Sequence, residues 1–183
     1  ARLVNADRTV GQGAEFDLQA WVTDQLFVTF GASYNDTEIQ DNDLTVFGCG
    51  GGCTMRDPAG TVPGTFLIDG NPLPQAPKHV YNLTARYGVP MGDGAEFFAY
   101  TDWAYRSEVN FFLYEATEFR GQSLLEGGLR LGFTWKDGDY EAAAFGRNFT
   151  EQILQGFTVN NGFSGFQFAS FLLGGMSQNA IVA

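Results

Sequence analysis

The side chains able to do chemistry in this 183-residue chain are few and scattered. His79 is the single histidine, so any Ser-His-Asp arrangement has to use it, and no Gly-x-Ser-x-Gly elbow accompanies it. It is expected instead at the outer end of a strand. Cys49 and Cys53 sit in a Gly-rich stretch with no histidine nearby. Two thiols fall short of the four ligands of a structural zinc site, so the pair is expected to form a small disulfide, free thiols being the alternative. Asp41, Asp43, Asp57 and Asp69 lack the glycine and glutamate spacing of a calcium hand and are expected as solvated loop acids. The chain is therefore expected to be no enzyme, with no catalytic residue, metal site or cofactor.

Composition narrows the class of protein that could hold these residues. Twenty-one acids against ten bases give a net charge of -11, which opposes a phosphate backbone and argues against nucleic acid as a partner. With 15% aromatic and only 17% charged residues the chain is neither a disordered tail nor a coiled coil. Its longest apolar run, residues 168–176, is too short and too glycine-rich for a membrane-spanning helix.

Alternation with a period of two is the dominant pattern. Phe16, Leu18, Ala20 and Val22 oppose Glu15, Asp17 and Gln19; Val28, Phe30 and Ala32 oppose Thr29, Gly31 and Ser33; Leu129, Leu131 and Phe133 oppose Arg130, Gly132 and Thr134. Six strands are expected, over residues 13–22, 26–39, 79–89, 95–107, 122–135 and 140–150. Their connections alternate in length. Thr23-Asp24-Gln25, the stretch around Met91 to Gly94, and Lys136 to Asp139 are tight turns, whereas 40–76, 110–121 and 151–183 are long loops.

Short turns at one end and long loops at the other are the pattern of an outer-membrane barrel. The fold class expected is all-β, an antiparallel transmembrane β-barrel segment of about six strands with short periplasmic turns and long extracellular loops. A three-residue turn at Thr23 to Gln25 predicts Val22 opposite Leu26, Ala20 opposite Val28 and Leu18 opposite Phe30. Asp137-Gly138 as a type I′ turn predicts Trp135 opposite Tyr140 and Phe133 opposite Ala142. A soluble β-sandwich would alternate in the same way. It would not favour Trp21, Phe27, Tyr87, Phe97, Trp135 and Tyr140 crowding the turns, a placement that suits the membrane interface.

In such a barrel Glu15, Asp17, Arg86, Glu96, Asp102, Arg106, Glu126, Arg130 and Arg147 share the polar face and are expected to point into the lumen. Their simplest role is a ladder of ion pairs. Recognition of a ligand is expected from the loop 40–76, since loops on a rigid scaffold carry binding, and no particular ligand-binding residue is singled out.

Several local motifs add a resemblance. Asn5 with Gly13-Ala14-Glu15, then Ala32 to Ile39, then Gly70-Asn71-Pro72-Leu73-Pro74-Gln75-Ala76-Pro77-Lys78-His79, then Tyr105-Arg106-Ser107, then Gly146-Arg147-Asn148-Phe149-Thr150-Glu151 follow one another in sequence. Together they resemble the C-terminal barrel region of TonB-dependent outer-membrane receptors, with the run from Gly70 to His79 the most specific match. The resemblance implies a bacterial outer-membrane location and contact with outer-membrane lipid. It also implies TonB and a plug domain as partners, and active uptake of a scarce ligand such as an iron-siderophore complex. A passive porin or adhesin barrel, or a secreted β-sandwich binding module, are the other classes compatible with the alternation.

The resemblance is partial. A plug domain and TonB box ahead of the barrel are not found here, and residues 167–183 do not supply the Pro-Arg-x-x-Gly strand with a terminal aromatic that closes such barrels. The chain is accordingly expected to be a piece of a barrel of about 22 strands.

Overall fold

The computed structural model describes residues 4–150 in full, together with the backbone of residues 157–160 and 168–171. In chain order the strands are β1 (Arg8–Trp21), β2 (Leu26–Gln40), β3 (Thr45–Phe47), β4 (Thr65–Leu67), β5 (His79–Gly92), β6 (Ala95–Arg106), β7 (Val109–Asn110), β8 (Arg120–Gly121), β9 (Leu124–Trp135), β10 (Tyr140–Arg147), β11 (Phe157–Asn160) and β12 (Phe168–Phe171). A 3-10 turn, Thr117–Phe119, precedes β8. The six long strands make one antiparallel sheet in the order β1-β2-β5-β6-β9-β10. Among the described residues the sheet is open, with β1 and β10 as its edges.

Each tight turn follows from its residues. Val22 N–H donates to the Leu26 carbonyl at 2.9 Å, and the Thr23 hydroxyl accepts from Leu26 N–H at 3.1 Å. Ala20 then faces Val28, and Leu18 faces Phe30, as the turn predicts. Asp137 and Gly138 have φ of 55° and 91°, and Asp139 N–H reaches the Lys136 carbonyl at 3.1 Å. These are the left-handed angles that a type I′ turn requires. Trp135 opposite Tyr140 and Phe133 opposite Ala142 follow. Asp93-Gly94 repeats the device between β5 and β6, with φ of 48° and 66°.

Four strand limits differ from expectation by two residues or more, the others by at most one. β1 starts at Arg8 rather than 13, because Gly11 and Gly13 fit an edge strand and every residue from Arg8 onward finds a partner on β2. β5 runs on to Gly92 through a register shift between Pro90 and Gly92, where proline has no N–H for the ladder. β9 begins at Leu124, two residues late. β10 ends at Arg147 rather than 150, since Asn148 turns to a φ of 55°. The expected loop 151–183 lies outside the described residues, apart from the backbone pairing of β11 with β12.

The best-buried apolar cluster lies mainly in the long loops, joined to the sheet at the end of β2. Ile39, Val46, Cys49, Ile68, Tyr114, Ala116 and Phe119 form it, with Ile68 and Phe119 at 0% exposure. The connections β2–β5 and β6–β9 thus fold together into one cap. It sits at the loop end of the polar face, because Ile39 and Thr37 anchor it and both share the parity of Ser33 and Asn35. Thr37 Oγ1 accepts Leu73 N–H at 3.1 Å there.

Candidate functional site

The sheet has two chemically distinct faces, and the register fixes which residue lies on which. One cross-strand row reads Leu18, Phe30, Leu83, Trp103, Gly127; the next reads Ala20, Val28, Ala85, Thr101, Leu129, Gly146. Phe97, Phe133 and Ala142 follow toward the turns. This face is uncovered: Phe16 is 55% exposed, Leu131 43% and Leu83 38%.

Aromatic rings border that face at both ends. Near the turns Phe133, Trp135 and Tyr140 stack in sequence, with centroids 6.1 and 5.6 Å apart, and Lys136 Nζ lies 5.1 Å over Tyr140. At the loop end Tyr34, His79, Tyr81 and Tyr105 form a run of rings with centroids 5.4, 6.1 and 5.6 Å apart. His79 stands at the loop end of β5, held by its backbone N–H to Ser107 Oγ. From Tyr34 back to Leu26 the strand spans about 27 Å at roughly 3.4 Å per residue, close to the ~25 Å apolar band of an outer-membrane barrel once tilt is allowed. Between the belts polar atoms bond within the sheet. Trp103 Nε1–H donates to Thr101 Oγ1 at 2.8 Å, and that hydroxyl donates to the Gly128 carbonyl at 2.8 Å.

All nine expected lumen residues, Glu15, Asp17, Arg86, Glu96, Asp102, Arg106, Glu126, Arg130 and Arg147, fall on the opposite face by register. Five of them belong to ion pairs with one another or with neighbours. Arg147 meets Asp102 at 2.7 Å, Arg86 meets Glu96, and Arg130 meets Glu141. These side chains are a quarter to a half exposed, so each pair contributes at most about 1 kcal/mol in water. Glu15, Asp17, Arg106 and Glu126 make no ion pair among the described residues.

The centre of this face has a symmetry that residue types alone do not reveal. Phe98, 5% exposed, faces Gly88 on β5 and Gly132 on β9. Arg86 lies over Gly88 and the Phe98 ring itself lies over Gly132, with the guanidinium carbons of Arg86 and Arg130 5.1 and 5.8 Å from the Phe98 centroid. Each then reaches its glutamate beyond. Cations near the ring are favourable. The repeated Arg-x-Gly of Arg86-Tyr87-Gly88 and Arg130-Leu131-Gly132 is the sequence signal for it. Beside it Tyr100, Asp102, Arg130, Glu141, Phe145 and Arg147 line a shallow recess of about 420 Å³.

The cap joins its two loops through polar contacts that the sequence did not announce. Asp57 Oδ2 accepts from Glu115 N–H at 2.7 Å and from Asn71 Nδ2 at 3.2 Å, while Asn71 also donates to the Leu113 carbonyl at 3.0 Å. Glu118 takes Thr54 N–H and Oγ1–H at 2.8 and 2.9 Å, which holds its carboxyl below the usual carboxylate range. Desolvation pushes the Tyr114 phenol up. Cys49 and Cys53 are joined as a disulfide. Asp41 and Asp69 act as local acceptors, Asp41 taking Asp7 N–H and Asp43 N–H, and Asp69 taking Asp41 N–H. Among the described residues no group of three metal-ligating side chains converges.

Comparison of the chain with protein-family models, with curated proteins and with solved structures finds no match in any of the three.

Proposed function

We propose that this chain is part of the wall of a TonB-dependent outer-membrane receptor that takes up a scarce ligand, an iron-siderophore complex being the ligand class favoured. The observation that carries the proposal is the uncovered apolar face, which runs the length of the strands between two aromatic belts and keeps its polar atoms bonded within the sheet. A water-soluble sandwich needs a second layer on such a face; hydrocarbon needs none, and requires that donors be satisfied internally. The opposite face, with its ion pairs and glycines, suits a lumen filled by a plug and water.

In the intact receptor the ligand is captured at the cap from outside the cell. Energy delivered through TonB displaces the plug, and the ligand passes along the polar face. The run from Gly70 to His79, which leads from the cap into β5, supports a receptor over a passive porin.

Disruption of the gene in its host, followed by uptake assays with a panel of iron-siderophore complexes, tests the function. Loss of energy-dependent uptake of one complex is expected. Unaltered uptake of every complex, together with ion conductance by the purified protein in planar bilayers, would favour the porin.

A further inference from the structure

Residues 54–56 of the first long loop form the seam against the second. Thr54 N–H and Oγ1–H bond Glu118, the Thr54 carbonyl accepts Thr117 N–H at 3.0 Å, and Arg56 N–H donates to the Glu115 carbonyl at 3.0 Å. Between them Met55 bridges Ala116. This is a short antiparallel pairing made by a segment with no regular strand of its own to hold it straight. What fixes its leading end is the disulfide, since Cys53 immediately precedes Thr54 and is tied to Cys49. Cys49 is 5% exposed and belongs to the buried cluster that also contains Tyr114, Ala116 and Phe119 from the second loop. The crosslink therefore ties the seam to the one core that both loops share.

We propose that Cys49–Cys53 is a redox latch: oxidised, it holds the two loops as a single cap, and reduction by a dithiol releases the second loop from the first. The sulfur open to attack is that of Cys53, the residue of the pair that is only partly buried, in a loop whose Gly50 and Gly51 have open space around them. One thiolate of the dithiol bonds to Cys53 Sγ, the S–S bond breaks, and Cys49 leaves as a thiolate that takes up a proton. The second thiol of the reductant then displaces Cys53, which is protonated in turn, and the reductant is left as a disulfide. Two electrons and two protons pass from the dithiol to the cysteine pair. Burial of Cys49 in apolar surroundings raises its thiol pKa and makes it a poor leaving group and a ready re-attacking thiolate; a monothiol mixed disulfide is therefore reversed, whereas the second thiol of a dithiol displaces Cys53 intramolecularly and completes the reduction.

The latch does not depend on what the barrel transports. Its test is hydrogen exchange followed by mass spectrometry on the intact protein in detergent micelles, oxidised and after dithiol treatment, with a Cys49→Ser/Cys53→Ser variant as the second arm. The reporting amide is that of Thr117, which lies in the loop without cysteines. Its exchange is expected to accelerate by up to about 30-fold, the closure entropy of so short a crosslink, together with that of Thr54 and Arg56, while amides of the six-stranded sheet hold their rates. Acceleration confined to residues 48–53, or acceleration spread through the sheet, would overturn the latch.

Discussion

Phe98 occupies the space that a side chain at Gly132 would fill: a Cβ built on Gly132 runs into the Phe98 ring. The ring placed there has Arg86 and Arg130 beside it, and these arginines pair with Glu96 and Glu141. Gly132→Ala is expected to destabilise the fold by about 1–3 kcal/mol through overpacking, read as a lower urea midpoint for the protein refolded in lipid vesicles. Adding Phe98→Leu should recover part of the loss. Full stability of Gly132→Ala alone would show that the ring has room to move.

The indole of Trp103 has one partner, Thr101 Oγ1, and that hydroxyl passes its own proton to the Gly128 carbonyl. Thr101→Val keeps the volume and strands the indole N–H in an apolar setting, at a cost of roughly 1–3 kcal/mol. Thr101→Ser retains the bond and should lose less. The comparison is made by equilibrium unfolding from vesicles, and equal losses for Val and Ser would mean the hydroxyl has no such role.

Leu131 and Glu126 sit on opposite faces of β9. In a bilayer Leu131→Arg is expected to cost about 2–4 kcal/mol near the midplane, whereas Glu126→Arg, toward the lumen, should cost far less. Folding yields and urea midpoints in vesicles check this. Similar penalties at both sites would contradict a lipid-facing strand.

Acid should loosen the cap before the sheet. The Glu118 carboxyl is held below its ordinary value by Thr54 N–H; a depressed folded-state pKa means that the contact contributes fully above the ordinary carboxylate value and is lost as pH falls through the depressed one. Limited proteolysis between residues 54 and 60 is therefore expected to quicken as the pH drops through the acidic range. In Glu118→Gln the same cleavage should be faster at neutral pH and respond less to acid. An identical pH profile in variant and parent would remove Glu118 from the seam.

The sheet was legible in the sequence because its information is local. Alternation at Phe16 to Val22 or Leu129 to Phe133 assigns the faces, and turn residues such as Asp137-Gly138 set the register, so Trp135 facing Tyr140 needed no knowledge of the rest of the chain. The limits of β1 and β5 were less legible, since Gly11 and Pro90 weaken a strand unless a partner or bulge accommodates them. The cap was opaque apart from its cysteine pair. Its seam joins Thr54 to Glu118 and Asp57 to Glu115, contacts of long sequence separation between loops without periodicity. The Phe98 cluster lies between these extremes: the two Arg-x-Gly steps were visible, but only the pairing of β6 with both β5 and β9 brings them to one ring.

The most direct measurement of the central claim is spin-label accessibility along β9. Single cysteines are introduced one at a time at positions 129 to 133 of the intact protein, in the Cys49→Ser/Cys53→Ser background, and labelled in reconstituted vesicles. Labels at 129, 131 and 133 are predicted to collide preferentially with oxygen dissolved in the acyl chains, and those at 130 and 132 with a water-soluble nickel chelate, giving an alternation of period two. Preferential contact with the nickel chelate at all five positions, or no alternation at all, would contradict a sheet whose apolar face meets lipid.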